Sequence, residues 1–106
     1  MLMFLNSYET IYILKPDVSE SITLDVVNFY KSFIKMSGGQ EILVQHRGRR
    51  HLGYKIMNYY DGIYVQVNYK GNGSLVKSIE KSMKLNESIL RYLTIKQQFC
   101  NSMNIL

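Results

Sequence analysis

The chain has 106 residues, of which 46% are hydrophobic, and carries 13 Lys and Arg against 8 Asp and Glu for a formal charge of +5. That length suits one compact domain, able to bury roughly 60 to 70% of the surface its unfolded chain exposes. The single cysteine, Cys100, excludes an internal disulfide and a cysteine-based zinc site and fits a reducing compartment. No stretch approaches the ~18 consecutive apolar residues of a membrane helix.

Met1 to Leu5 is apolar, but it is too short for a secretion signal and has no basic flank, so residues 1–6 are expected to be a frayed start. Ser7 to Leu14 alternates as a strand does, with Glu9, Ile11 and Ile13 on one side and Tyr8, Thr10, Tyr12 and Leu14 on the other. Lys15-Pro16-Asp17 ends it. Ser19 is an N-cap for a helix whose apolar residues Ile22, Val26, Phe29, Phe33 and Met36 step by four and three, and Gly38-Gly39 closes that helix. A long second strand runs from about Glu41 to Ile56, and Gly48 in its middle signals a bulge that re-aims the residues beyond it. Without that bulge, Arg50 would point into the core.

Asn58 to Gly62 reads as a turn, followed by a third strand in which Ile63, Val65, Val67 and Tyr69 alternate with Tyr64, Gln66 and Asn68. Gly71-Asn72-Gly73-Ser74 opens a second helix with Leu75, Val76, Ile79 and Met83 inward and Lys77, Lys81 and Lys84 outward, stopped by Asn86 in a left-handed conformation. Ile89 to Lys96 is the fourth strand, and residues 97–106 show no sustained period, so a loose tail is expected there. The order strand, helix, strand, strand, helix, strand is the βαββαβ arrangement of an α+β, ferredoxin-like domain over residues 7–96, with a four-stranded antiparallel sheet and both helices on one face. The chosen parities set Ile11, Ile13, Val65 and Val67 under the helices. Tyr8, Tyr12, Tyr64 and Tyr92 are then expected on the uncovered face, where they would pack against a protein partner or, as the alternative, stack on unpaired bases.

The chemistry concentrates between His46 and Ile56, where Arg47, Arg49, Arg50 and Lys55 occur without one carboxylate. An arginine fork grips phosphate oxygens bidentately and a lysine adds a point charge, so these residues, with His51 as a further hydrogen-bonding group, are the candidate nucleic-acid contacts. Arg91 and Lys96 are secondary candidates. A solvated edge strand that repels other edges is the competing reading of the same charges. His46 and His51 have no cysteine or carboxylate grouped beside them in sequence, so no metal site is expected. The Gly71 to Ser74 loop lacks the Lys-Ser/Thr of a nucleotide-binding loop, and the dispersed acids offer no acid–base pair. No catalysis, cofactor, membrane contact or small-molecule substrate is expected.

Three stretches carry a resemblance to bacterial-type small-subunit ribosomal protein six over about residues 7 to 96. They are Tyr8-Glu9-Thr10-Ile11-Tyr12-Ile13-Leu14-Lys15-Pro16-Asp17, Gly48-Arg49-Arg50-His51-Leu52-Gly53-Tyr54-Lys55-Ile56, and Ile89-Leu90-Arg91-Tyr92-Leu93-Thr94-Ile95-Lys96. Gly53 and Met57 depart from that family's usual residues. The resemblance implies a ferredoxin-like structural protein without catalysis, bound with small-subunit ribosomal protein eighteen to the central domain of 16S-type rRNA. The Ile, Asn, Lys and Tyr bias and the His46 to Leu52 run resemble plastid-encoded algal versions, which implies a chloroplast ribosome, with the bacterial cytoplasm as the alternative. Two rival readings on the same scaffold are a free-standing single-stranded RNA-binding module and a small-molecule regulatory domain.

Overall fold

The computed structural model describes residues 5–97, so the expected tail beyond them and most of the expected frayed start lie outside the described residues. Six elements follow in the expected order: β1 (Asn6–Leu14), α1 (Glu20–Met36), β2 (Gln40–Ile56), β3 (Tyr59–Gly71), α2 (Gly73–Leu85) and β4 (Ile89–Gln97). The strands make one antiparallel sheet in the order β2-β3-β1-β4, with both helices packed on one face.

Local signals set the helix ends. The Ser19 hydroxyl accepts from the Ile22 N–H and caps α1, while the Asn72 side chain accepts from the Leu75 N–H and caps α2. At the far end of α1 the Gly38 N–H bonds to the Lys35 carbonyl and the Gly39 N–H to that of Ile34, the paired bonds of a Schellman closure. Asn86 corrects one expectation. It sits in extended backbone, and its side chain stops α2 by accepting from the Ser88 N–H and donating to the Tyr30 hydroxyl.

The covered face of the sheet is the reverse of the one expected for β1. Tyr8, Thr10, Tyr12 and Leu14 are buried under the helices, opposite Tyr69, Val67, Val65 and Ile63 of β3, whereas Ile11 and Ile13 face the open side. Tyr92 is Tyr12's cross-strand neighbour on β4 and packs, half-buried, against the same core. Tyr8 and Tyr12 are therefore buried away from the open face, Tyr92 is half-buried with its register on the helix side while bordering a recess on the open side, and of the four expected there only Tyr64 lies on the open face by register. The physical reason is volume: the Tyr12 and Tyr30 rings, with centroids 5.6 Å apart, fill the gap between sheet and α1 that the smaller Ile11 and Ile13 would leave open.

The inward stripe of α1 is also turned by one residue. Thr23, Tyr30 and Ile34 are buried, with Val26, Val27 and Phe33 beside them, while Ile22, Phe29 and Met36 are exposed. In α2 the expected Leu75, Ile79 and Met83 are buried. Hydroxyls in this tyrosine-rich core are bonded to one another: Thr10 to Tyr69 at 2.8 Å and to Thr94 at 2.9 Å, and Tyr30 to Ser82 at 3.3 Å. The Tyr12 hydroxyl is the exception, buried with no hydrogen-bond partner among the described residues.

That orphaned hydroxyl has a measurable consequence. Leaving a buried donor unpaired costs about 1–3 kcal/mol, so Tyr12→Phe should raise the unfolding free energy at neutral pH by about 1 kcal/mol in denaturant titration. Burial, with Tyr30 adding to it, pushes the Tyr12 phenol well above its ordinary value of 10.0. A folded-state value raised above the unfolded one gives stability that is complete below about pH 10 and lost as the pH climbs further, because the unfolded chain releases its proton first. The Phe variant should lose less stability than the natural chain between neutral and strongly alkaline pH.

Candidate nucleic-acid and protein interface

The basic segment sits on β2, an edge strand, and its geometry is set by one extra residue. His46 pairs with Val65 but Gly48 pairs with Tyr64, so Arg47 and Gly48 together oppose a single residue of β3. Gly48 takes a φ of +84°, a conformation that suits glycine and that a side chain would strain. The bulge inverts the alternation beyond it. Arg49 then pairs with Ile63 on the helix side and Arg50 with Gly62 on the open side. A Cβ at Gly62 would collide with the Ile13 side chain, which confirms that this position, and Arg50 opposite it, faces the open side.

β3 begins earlier than expected, at Tyr59, because the turn is Met57-Asn58, with φ of 48° and 70° and Ile56 paired to Tyr59. β1 ends opposite Ile63, so the β2–β3 hairpin continues past the sheet as a two-stranded arm. The arm coils back across the open side. Leu52 is 4% exposed beside Gly62, the Arg91 guanidinium of β4 lies 5.5 Å from the centre of the Tyr54 ring, and Met57 shares a recess with Lys15 and Ile89. Tyr59 donates to the Asp17 carboxylate at 2.8 Å and ties the arm, next to its turn, to the segment between β1 and α1.

This geometry splits the candidate cations into unequal sets. Arg49 lies 3.5 Å and His51 3.0 Å from the Asp61 carboxylate, which offsets their charge locally. Arg47, Arg50, Lys55 and Arg91 have no carboxylate within 4.0 Å among the described residues. Arg47 donates through Nε and Nη2 to the Gln66 amide oxygen, at 3.2 and 2.9 Å, and Gln66 in turn donates to Glu9 at 2.8 Å, so its guanidinium is held on the open face. The Lys55 ammonium stands 5.5 Å above the Tyr60 ring. Lys96 does not join them: it pairs with Tyr8 at the other end of β4, on the helix side. One row across the open face reads Gly48, Tyr64, Ile13 and Arg91, and a shallow apolar recess lined by Ile11, Ile13, Tyr64, Tyr92 and Leu93, with Arg91 at its border, lies along it.

Tyr54 and Tyr60 were not among the sequence-derived candidates. They are 62% and 59% exposed. The signal available in the sequence was their position beside the turn, where both strands outrun the sheet. Among the described residues no group of three or more His, Cys, Asp or Glu side chains converges as a metal site, and no helix is long and apolar enough to cross a membrane.

The fold and this surface define a small basic protein of ferredoxin-like architecture, organised for binding. Residues 7–96 match the family model described as Ribosomal protein S6. The chain is 60% identical to the small ribosomal subunit protein bS6c of Pyropia yezoensis over 89% of this chain and 86% of that one. It is 50% identical to the small ribosomal subunit protein bS6 of Picosynechococcus over 86% and 79% of the two chains. Its fold matches the crystal structure of 30S ribosomal protein S6 from Thermotoga maritima with a TM-score of 0.86, at 22% identity and over 96% of each chain. The chain belongs to the ribosomal protein S6 family. It is a structural protein of the small ribosomal subunit, not an enzyme. The chloroplast setting that the resemblance implied is supported by its similarity to plastid-type algal proteins, beside which bacterial ones also match.

The turn gives a direct test of the arm. A β-turn with two left-handed positions favours Asn and Gly, and a left-handed methionine is costly by about 1–2 kcal/mol. Met57→Asn should therefore stabilise the arm by roughly 0.5–1 kcal/mol. Native-state hydrogen exchange of the amides from Leu52 to Gly62 should show slower opening, with little change in the amides of β1.

Proposed function

We propose that this chain holds the central domain of 16S-type rRNA jointly with small-subunit ribosomal protein eighteen, with Arg47, Arg50, Lys55 and Arg91 as the main phosphate contacts. The observation that carries this reading is that the open face carries Arg47 and Arg50 on β2 and Arg91 on β4, none with a carboxylate within 4.0 Å among the described residues, on either side of its apolar recess. The cations suit an RNA backbone and the recess suits a protein side chain, so one face meets two partners at a seam. Arg49 and His51 contribute less because Asp61 competes for them. Lys96 lies too far around the domain to share the same contact.

Each phosphate contact contributes ~0.9 to the slope of log affinity against log salt on double-stranded nucleic acid. Replacing Arg47 and Arg50 together by alanine should lower the slope of rRNA assembly by about 1.8, whereas Arg49→Ala should lower it by well under one contact's worth. Filter-binding or sedimentation across a salt series measures both, and equal slopes for all variants would reject the assignment.

The protein side of the seam is tested separately. Leu93 is 57% exposed at the edge of the recess, so Leu93→Asp should leave the melting temperature nearly unchanged. A carboxylate desolvated without a partner is expected to weaken pairwise association with ribosomal protein eighteen by tenfold or more, as read by calorimetry.

A further inference from the structure

We infer that the outer part of the arm is a base-stacking site, in which Tyr54 and Tyr60 each receive an unpaired RNA nucleobase while Arg91 and Lys55 engage the neighbouring phosphates. The inference rests on the RNA-binding reading above and adds to it a type of contact, and a type of RNA, that backbone neutralisation does not require. Phosphate contacts alone are satisfied by a duplex, whereas a ring that stacks on a base needs that base out of its helix.

Three observations converge. First, Tyr54 and Tyr60 are among the most exposed aromatic side chains of the described chain, at 62% and 59%, although the core elsewhere buries its tyrosines almost completely. Second, each ring has a cation 5.5 Å from its centre, Arg91 over Tyr54 and Lys55 over Tyr60. A cation held against a ring presents positive charge beside the position a stacked base would take, so base and phosphate of a nucleotide are matched together. Third, the arm is held at both ends: Leu52 is buried at its root and Tyr59, beside its turn, is bonded to Asp17, so the rings are presented on fixed backbone, not on a free loop. Tyr64, expected from sequence to meet a protein partner with base stacking as the alternative, is half-buried within the apolar recess and is assigned to the protein side.

The test uses the full-length protein and an unstructured oligoribonucleotide carrying 2-aminopurine, whose emission falls when the base stacks on a ring. The natural chain should quench it on binding. Tyr54→Leu and Tyr60→Leu should each weaken binding on the order of tenfold with an unchanged salt slope, since a stacking contact but no charge is lost, while Tyr54→Phe and Tyr60→Phe should retain binding. The absence of quenching by the natural chain, or Leu variants that bind like it, overturns the stacking site. So does a result in which the Leu variants keep the oligonucleotide but lose ribosomal protein eighteen, which would make these rings protein contacts. Failure of the parent reading is seen elsewhere, as a salt slope indifferent to Arg47 and Arg50. Melting temperatures of all four tyrosine variants control for folding, since both side chains are exposed.

Discussion

The extra residue at Gly48 governs which partner each side chain of β2 can meet. A strand has only two sides, and a single insertion exchanges them for every position that follows. Before the bulge, Val44 and His46 share the side of Val67 and Val65; after it, Arg49 takes the helix side and Arg50 the open one. The same inversion brings Leu52 down onto Gly62 and Ile13 and sends Tyr54 toward Arg91. A cationic face, an apolar recess and a curled arm thus have a common origin in one left-handed glycine.

The element order was readable because its punctuation is chemical. Ser19 and Asn72 cap as their side-chain oxygens allow, Gly38-Gly39 closes α1, and the bulge sits where a lone glycine interrupts a strand. The choice of buried face was not readable from alternation, because both sides of β1 carry large apolar groups. Isoleucine is an ordinary core residue type and tyrosine carries a hydroxyl, yet here Ile11 and Ile13 face the open side and the tyrosines of β1 are buried. The hydroxyls of Tyr30 and Tyr69 are instead satisfied inside, by Ser82, Asn86 and Thr10, which removes the main penalty for burying the rings. The helix stripe erred for a related reason: Thr23, polar on paper, bonds its hydroxyl back to the Ser19 carbonyl and can be buried.

At the candidate site, sequence identified the charge but not its distribution. Arg47, Arg49, Arg50, His51 and Lys55 are contiguous along the chain, yet Asp61, ten residues after His51, reaches two of them across the hairpin. Arg91 comes from the opposite edge of the sheet and joins the group only because the arm coils over. Lys96, near it in sequence, is removed from it by five positions of β4 and a change of face. Pairing register, which no local window contains, decided each of these outcomes.

The bond from Tyr59 to Asp17 gives the arm a mechanical role. It fastens the hairpin beside its turn, two residues past Met57, to the segment that leads into the first turn of α1, so the far end of the hairpin is strapped to the body of the domain. Force applied near Met57 is then transmitted to the start of that helix and not spent in bending the ribbon. A particle that grips the hairpin's end would, through this single contact, also steady the helix layer on the opposite side of the sheet.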